Sequence, residues 1–389
     1  MSTGHRRGVF SLLAACALAV PLVAQTGIPP VDRAKLAKLA EPWPDAETLR
    51  ARRLDAEARR LFADTGVFPF TLTADFKTVN KDRNPESKTD YPAVMSIEGE
   101  GGRPTILHVN LRPRGHFRLR ATSCSFVPLR VEFDKDEIKG TIFDHQKTLK
   151  LTTHCRNDSE YEQYTLREYL VYRVLNLLTP RSFRARLARA TYVQATGGRG
   201  APVTDGGKVL VTRWAMFLED DEDVARRAEG RIMDVPRALF KDVDQNTLSL
   251  VMVFQYMIGN TDFSIYALHN IRLIRTQDKS VYPVPYDFDM SGLVDARYAL
   301  ADRTLGITSV RDRLYRGPCR SLAEIGPVLE QFKARKDEVL ALYDSQPELD
   351  PSYRRDAKSY LDQFYRTLDR PADVRRTFIE GQCSKKSLM

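Results

Sequence analysis

The chain has 389 residues, with 60 Lys and Arg against 51 Asp and Glu for a net charge of +9, and 42% of it is hydrophobic. That balance excludes a disordered tail, a collagen and a coiled coil, and it supplies enough apolar material for one large core or two. No apolar run reaches the roughly 18 to 20 residues of a spanning helix, so a polytopic membrane protein is excluded and no transmembrane span is expected.

The chain opens on Arg6-Arg7, an apolar stretch from Val9 to Val23, and Ala24-Gln25. A basic region, an apolar region and a small residue at a cleavage point read as a secretory signal over residues 1–24. A second address competes within it, because Leu13-Ala-Ala-Cys16 matches a lipobox in which Cys16 would carry a lipid anchor. Both readings export the protein, to the periplasm or the extracellular space, with a lipoprotein as the alternative. Cys124, Cys155, Cys319 and Cys383 then remain in an oxidising compartment. Three pairings exist. Proximity favours Cys124 with Cys155 and Cys319 with Cys383, while free buried thiols are the competing reading. Loss of Arg6 and Arg7 leaves a net charge of +7. The basic residues cluster only loosely, over 112–120 and 181–189, with no aromatic-interleaved recognition motif, so the reading is a solvated basic face for anionic ligands and no nucleic acid.

Residues 32–62 carry apolar positions at helical spacing and predict one or two leading helices within a helical extension over 25–66. From Phe68 to Phe133 the period becomes strand-like, in Phe70-Thr-Leu-Thr, Ala93-Val-Met-Ser-Ile, Ile106-Leu-His-Val-Asn-Leu and Leu129-Arg-Val-Glu-Phe, which predicts an antiparallel meander. Glu98-Gly-Glu-Gly-Gly-Arg103 lies between two of these runs and reads as a hairpin turn, since no helix follows it as a phosphate loop requires. Thr148-Leu-Lys-Leu-Thr predicts another strand, 162–178 a helix, and 190–193 with 208–212 two more strands. Glu219-Asp-Asp-Glu-Asp223 marks an acidic junction. Beyond it, helices are predicted at 245–258, 322–342 and 352–368, with a small hairpin at 270–274 and 281–285. The outline is a β-rich unit over 67–218 with one main helix, then a mostly helical unit over 219–389.

The densest polar group in an apolar context is Ile258-Gly-Asn-Thr-Asp-Phe-Ser264, His269-Asn270 and Pro285-Tyr-Asp-Phe-Asp289. Phosphoryl transfer needs a carboxylate to orient the attacking hydroxyl, and an amide oxygen and a carboxylate to hold metal on the phosphates. Asp262, Asn270 and Asp287 supply those types in order, with Asp289 on the same strand face as Asp287. A hairpin between Asn270 and Asp287 brings its two mouths together. The competing reading is a helix stop at Asn260-Thr-Asp262 and turn residues at Asp287 and Asp289, and the spacing also describes a Mg-dependent phosphatase or a structural cation site. His108, His116, His145 and His154 are scattered without ligand spacing, which argues against zinc.

Arg114-Gly115, Pro128-Leu-Arg-Val-Glu-Phe133, Leu149-Lys-Leu151, Thr165-Leu-Arg-Glu-Tyr-Leu170, Glu219-Asp-Asp, Asn260-Thr-Asp262 and Pro285-Tyr-Asp-Phe-Asp289 together resemble the spore-coat CotH type of atypical protein kinase, over about residues 90–295. The resemblance implies an α+β, bilobal protein-kinase-like fold and ATP- and Mg2+-dependent phosphorylation of a secreted or envelope protein on Ser or Thr. Carried over, it makes Asp262 the catalytic acid, Asn270 and Asp287 metal ligands with Asp289 beside them, and Glu168 the helix glutamate that pairs a nucleotide-binding base. Lys150 and Arg130 are the two candidates for that base. Arg130 stands where the family often has lysine, and the eight residues from Asp262 to Asn270 imply a lengthened catalytic loop. The rival expectation is a catalytically weak or inactive exported pseudokinase, a binding module of the envelope. A kinase acting on a small molecule or glycan is a third.

Overall fold

The computed structural model describes residues 32–196, 203–381 and 383. The signal segment and Cys16 lie outside the described residues. Two leading helices, α1 (Arg33–Ala40) and α2 (Ala46–Glu57), are followed by β1 (Phe68–Ala74), the short α3 (Phe76–Val79), β2 (Tyr91–Glu98), β3 (Pro104–Pro113), β4 (Leu129–Phe133) and β5 (Thr148–Thr152). The long helix α4 (Ser159–Leu178) precedes β6 (Ala185–Ala195) and β7 (Gly207–Leu218). The expected meander is present, since β1 to β5 pair antiparallel in chain order. It does not stay open: β5 pairs with β7, β7 with β6, and β6 runs parallel to β1, closing a seven-stranded barrel of mixed direction. Closure removes both sheet edges.

Strict alternation fills the barrel. Phe70, Leu72, Leu129, Val131, Leu149 and Leu151 point inward and are buried, whereas Arg130 and Lys150 alternate with them and face outward. Pairing places Arg112, Arg130 and Lys150 side by side on that outer face. The turn at Gly101 and Gly102 joins β2 to β3, with φ of 69° and 77° that suit glycine.

The acidic junction proves to be a helix, α5 (Asp221–Arg227), with three acids in its first turn and two arginines in its last, an order that suits the helix dipole. A short strand follows, β8 (Gly230–Ile232), then α6 (Gln245–Ile258), β9 (Ile271–Thr276), β10 (Val281–Pro285), α7 (Leu322–Ala334), α8 (Lys336–Asp344) and α9 (Pro351–Leu368). The sequence gives no signal for so short a strand as β8, which pairs with β9 and makes the expected hairpin a three-stranded sheet. The single helix expected over 322–342 is broken at Arg335. No proline or glycine marks the break; α7 packs on α6, while α8 packs on α4 and α9.

The fold is α+β, with two apolar cores: one fills the barrel, and the other gathers α4, α6, the hairpin and the C-terminal helices. The N-terminal helices are joined to α5 by a buried two-pronged ion pair, Arg59 Nε and Nη2 to Asp223 at 2.7 and 3.0 Å. Both disulfides favoured by proximity are formed, Cys124–Cys155 and Cys319–Cys383. Among the described residues no helix is long and apolar enough to cross a membrane. The two disulfides fit an exported protein.

Cys319 and Cys383 close 64 residues of chain, over which cross-linking removes roughly 4 kcal/mol of unfolded-state entropy. Replacing both by serine is expected to lower stability by about 2–5 kcal/mol in urea unfolding; an unchanged midpoint would contradict this.

Candidate functional site

Helix α6 is apolar on nearly every side and buried along most of its length, so it forms the centre of its core. It ends at Gly259, whose φ of 66° is left-handed and whose Cβ, if present, would lie 2.1 Å from the Tyr360 hydroxyl. Glycine is therefore required at the point where the chain turns into Asn260-Thr-Asp262. The turn is then fixed from two sides. Asn260 is buried, donates through Nδ2 to Gln255 Oε1 at 3.0 Å, and accepts from the Asp262 N–H at 3.0 Å. Arg316 donates to the carbonyls of Thr261 and Phe263 at 2.6 and 2.9 Å.

The eight-residue gap to Asn270 is absorbed by a small closed loop. Ser264 and His269 exchange both backbone hydrogen bonds at 2.9 Å, so residues 265–268 form a closed loop, with Ile265 buried, and Asn270 returns to Asp262. Left-handed backbone at Leu268 and Asn270, with φ of 54° and 52°, makes that return. The buried Asn270 donates through Nδ2 to the Asp262 carbonyl at 2.8 Å and to its carboxylate at 3.1 Å. His269 Nε2 stands 2.7 Å from the other carboxylate oxygen, and the bond to Asp262 raises the imidazole above its usual range. With Nδ2 engaged, the Asn270 Oδ1 is left as a hard acceptor.

The hairpin delivers the second half. The Tyr286 N–H donates to the Asn270 carbonyl at 3.0 Å, joining its two mouths. Asp287 follows with a φ of 64°, unusual for a residue with a Cβ, and its N–H donates to the Tyr172 hydroxyl of α4 at 2.8 Å. Asp289 is buried and accepts from the Tyr298 hydroxyl at 3.0 Å. Glu168, one turn before Tyr172 on α4, is buried and accepts from the Phe288 N–H at 3.4 Å. Burial, then the charges of Asp289 and Asp287, push the Glu168 carboxyl far above its usual range; burial and Asp287 push Asp289 up as well. Three crowded carboxylates of one sign are costly unless a cation meets them.

The structure thus brings Asp262, Asn270, Asp287, Asp289 and Glu168 together and treats the two basic candidates differently. Lys150 is nearly buried and forms an ion pair with Asp221, whose second oxygen accepts from Arg272 Nε at 2.9 Å. Its ammonium also lies over the rings of Phe183 and Tyr286, at 5.4 and 5.1 Å. Burial raises Asp221, but Lys150 and Arg272 outweigh it and hold the carboxyl at about 2. Arg130 is exposed beside Lys150. The positive charge facing Glu168 belongs instead to Arg118, on the β3–β4 loop. Sequence reading places Arg118 in a solvated basic face, and Asp221 only in an acidic stretch. The partners of Asp221, Lys150 and Arg272, lie 71 and 51 residues away, so no local pattern reveals them.

Among the described residues no three His, Cys, Asp or Glu side chains form a ready metal cage. Two carboxylates and an amide oxygen are a partial set, of the kind Mg2+ completes with phosphate oxygens and water. No protein-family model matches the chain, and no curated protein matches it.

Asp221→Asn leaves Lys150 enclosed without a counter-charge, and a loss of about 3 kcal/mol is expected at neutral pH. The carboxyl is lower folded than unfolded, so its contribution is present above the ordinary Asp value of about 3.9 and disappears as pH falls through about 2. Denaturant unfolding at pH 7 and an acid titration check both; a variant as stable as the parent at pH 7 would contradict the pairing.

Proposed function

We propose that this chain is an exported CotH-type phosphotransferase, with the barrel and the helical unit as the two lobes of a kinase-like enzyme. It would transfer a phosphoryl group from ATP, with Mg2+, to a Ser or Thr hydroxyl of a secreted or envelope protein. The observation that carries this reading is the convergence of three chain segments on one acidic site: α4 with Glu168, the loop after α6 with Asp262 and Asn270, and the segment after β10 with Asp287 and Asp289.

Each residue has a task that its environment supports. Asp262 is half-buried, with both carboxylate oxygens engaged by Asn270 and His269. A carboxylate has about four lone-pair positions, so it can still accept from an acceptor hydroxyl and orient it. Asn270 through Oδ1 and Asp287 would hold Mg2+, with Asp289 beside them. When bound, Mg2+ offsets the negative charge of the phosphates during transfer. Asp289 and Glu168 are the groups whose mutual repulsion such a cation would relieve. Tyr172 fixes the Asp287 backbone from α4, so the position of that helix is tied to the position of the ligand.

One observation favours the second reading, a nucleotide-free binding module: Lys150 is paired with Asp221 rather than with Glu168. A titration of the protein with Mg–ATP that gives neither heat nor a thermal shift would support that module and contradict the enzyme.

Asp287→Ala is expected to lower Mg-dependent ATP turnover or autophosphorylation roughly 10²-fold or more, the scale on which loss of a single electrostatic stabiliser acts. Turnover equal to that of the unaltered protein would show the assignment to be wrong.

A further inference from the structure

We propose that Arg118, and not Lys150, is the cation that contacts the nucleotide phosphates; this rests on the phosphotransferase reading above. Lys150 has little to offer a new anion. Its ammonium is paired with Asp221, lies over two aromatic rings and belongs to a side chain only 11% exposed, so its charge is met by the protein itself. An arriving phosphate would have to displace a carboxylate that Arg272 also holds.

Arg118 is placed in the opposite way. Its guanidinium carries five N–H donors, and the hydrogen bond it makes to the protein is from Nη2 to the Thr153 carbonyl at 2.6 Å. Its Nε is shut off from solvent and has no partner. The neighbouring Phe117 ring packs 5.9 Å from the ring of Tyr298, whose hydroxyl donates to Asp289, which fixes the loop beside the acidic site. The charge of Arg118 faces Tyr298, Asp289, Glu168 and Asp287. Even so, no carboxylate among the described residues lies within the 4.0 Å of an ion pair with it. A cation held close to three acids but touching none leaves its remaining donors for a third party. A planar fork of N–H groups beside carboxylates that would take a metal matches the oxygens of a metal-bound phosphate.

The loop that carries Arg118 is held like a fixed element. Cys124–Cys155 ties it to the end of β5. Arg83 donates to the Leu119 and Cys124 carbonyls at 3.1 and 2.9 Å, and Arg156 to the Ser123 carbonyl at 2.8 Å. The guanidinium is therefore presented at little cost in ordering on binding.

The test is calorimetric titration of the full chain with Mg–ATP and with adenosine, which lacks phosphates. Arg118→Gln is expected to weaken Mg–ATP binding tenfold to a hundredfold and to leave adenosine binding unchanged. Arg118→Lys, which keeps charge and volume if Gln disturbs folding, is expected to recover part of the loss. Lys150→Met is expected to change Mg–ATP affinity by less than threefold. Arg118 variants that bind Mg–ATP as the parent does, or that lose adenosine and ATP alike, would overturn the assignment alone. A parent protein that binds neither ligand would overturn the nucleotide reading and this assignment with it.

Discussion

The crowding of Glu168, Asp287 and Asp289 is the constraint on which the rest of the site depends. Like charges in a buried place repel, and the low polarity of the surroundings amplifies the repulsion. Both Glu168 and Asp289 are nearly fully buried and both are pushed toward the protonated form. Replacing buried charged groups by well-packed apolar side chains is often neutral or stabilising, so such crowding adds little to stability. The chain instead surrounds them with donors, from the Tyr298 hydroxyl and the Phe288 backbone, and sets Arg118 opposite without closing an ion pair. The negative charge of this cluster is therefore only partly offset by the protein itself.

The scaffold explains how that charge is kept in place. Glu168 and Tyr172 lie one turn apart on α4, so a single rigid helix grips both Phe288 and Asp287 of the segment after β10. On the other side, Gly259 lets α6 stop against Tyr360 and launch the loop that carries Asp262. The Ser264–His269 closure returns the chain to Asn270. Three separate elements thus meet through backbone as well as side-chain hydrogen bonds, which limits how far any of them can drift.

Much of this was legible in the sequence, and the parts that were not share a cause. Helix α6 and strands β4 and β5 follow from strong local periodicity, because burial on one face or on all faces leaves a pattern in adjacent residues. The cluster of Asp262, Asn270 and Asp287 was legible because polar residues stand out between apolar stretches of sequence. Barrel closure by parallel pairing of β1 with β6 was not, since it depends on residues over 110 positions apart, such as Leu72 and Tyr192. The same holds for the ion pair of Lys150 with Asp221 and for the inward turn of Arg118. A charged residue in a basic stretch reads as solvated until the fold shows what stands opposite it. The break between α7 and α8 carries no local breaker and is set by which neighbours each helix packs against.

The most direct measurement is a crystal structure of the protein grown with Mn2+ and a non-hydrolysable ATP analogue, with the metal located by anomalous scattering. The expected result is a peak bound by the Asn270 Oδ1 and an Asp287 carboxylate oxygen. A nucleotide bound with no metal at these residues, or a metal held elsewhere, would contradict it.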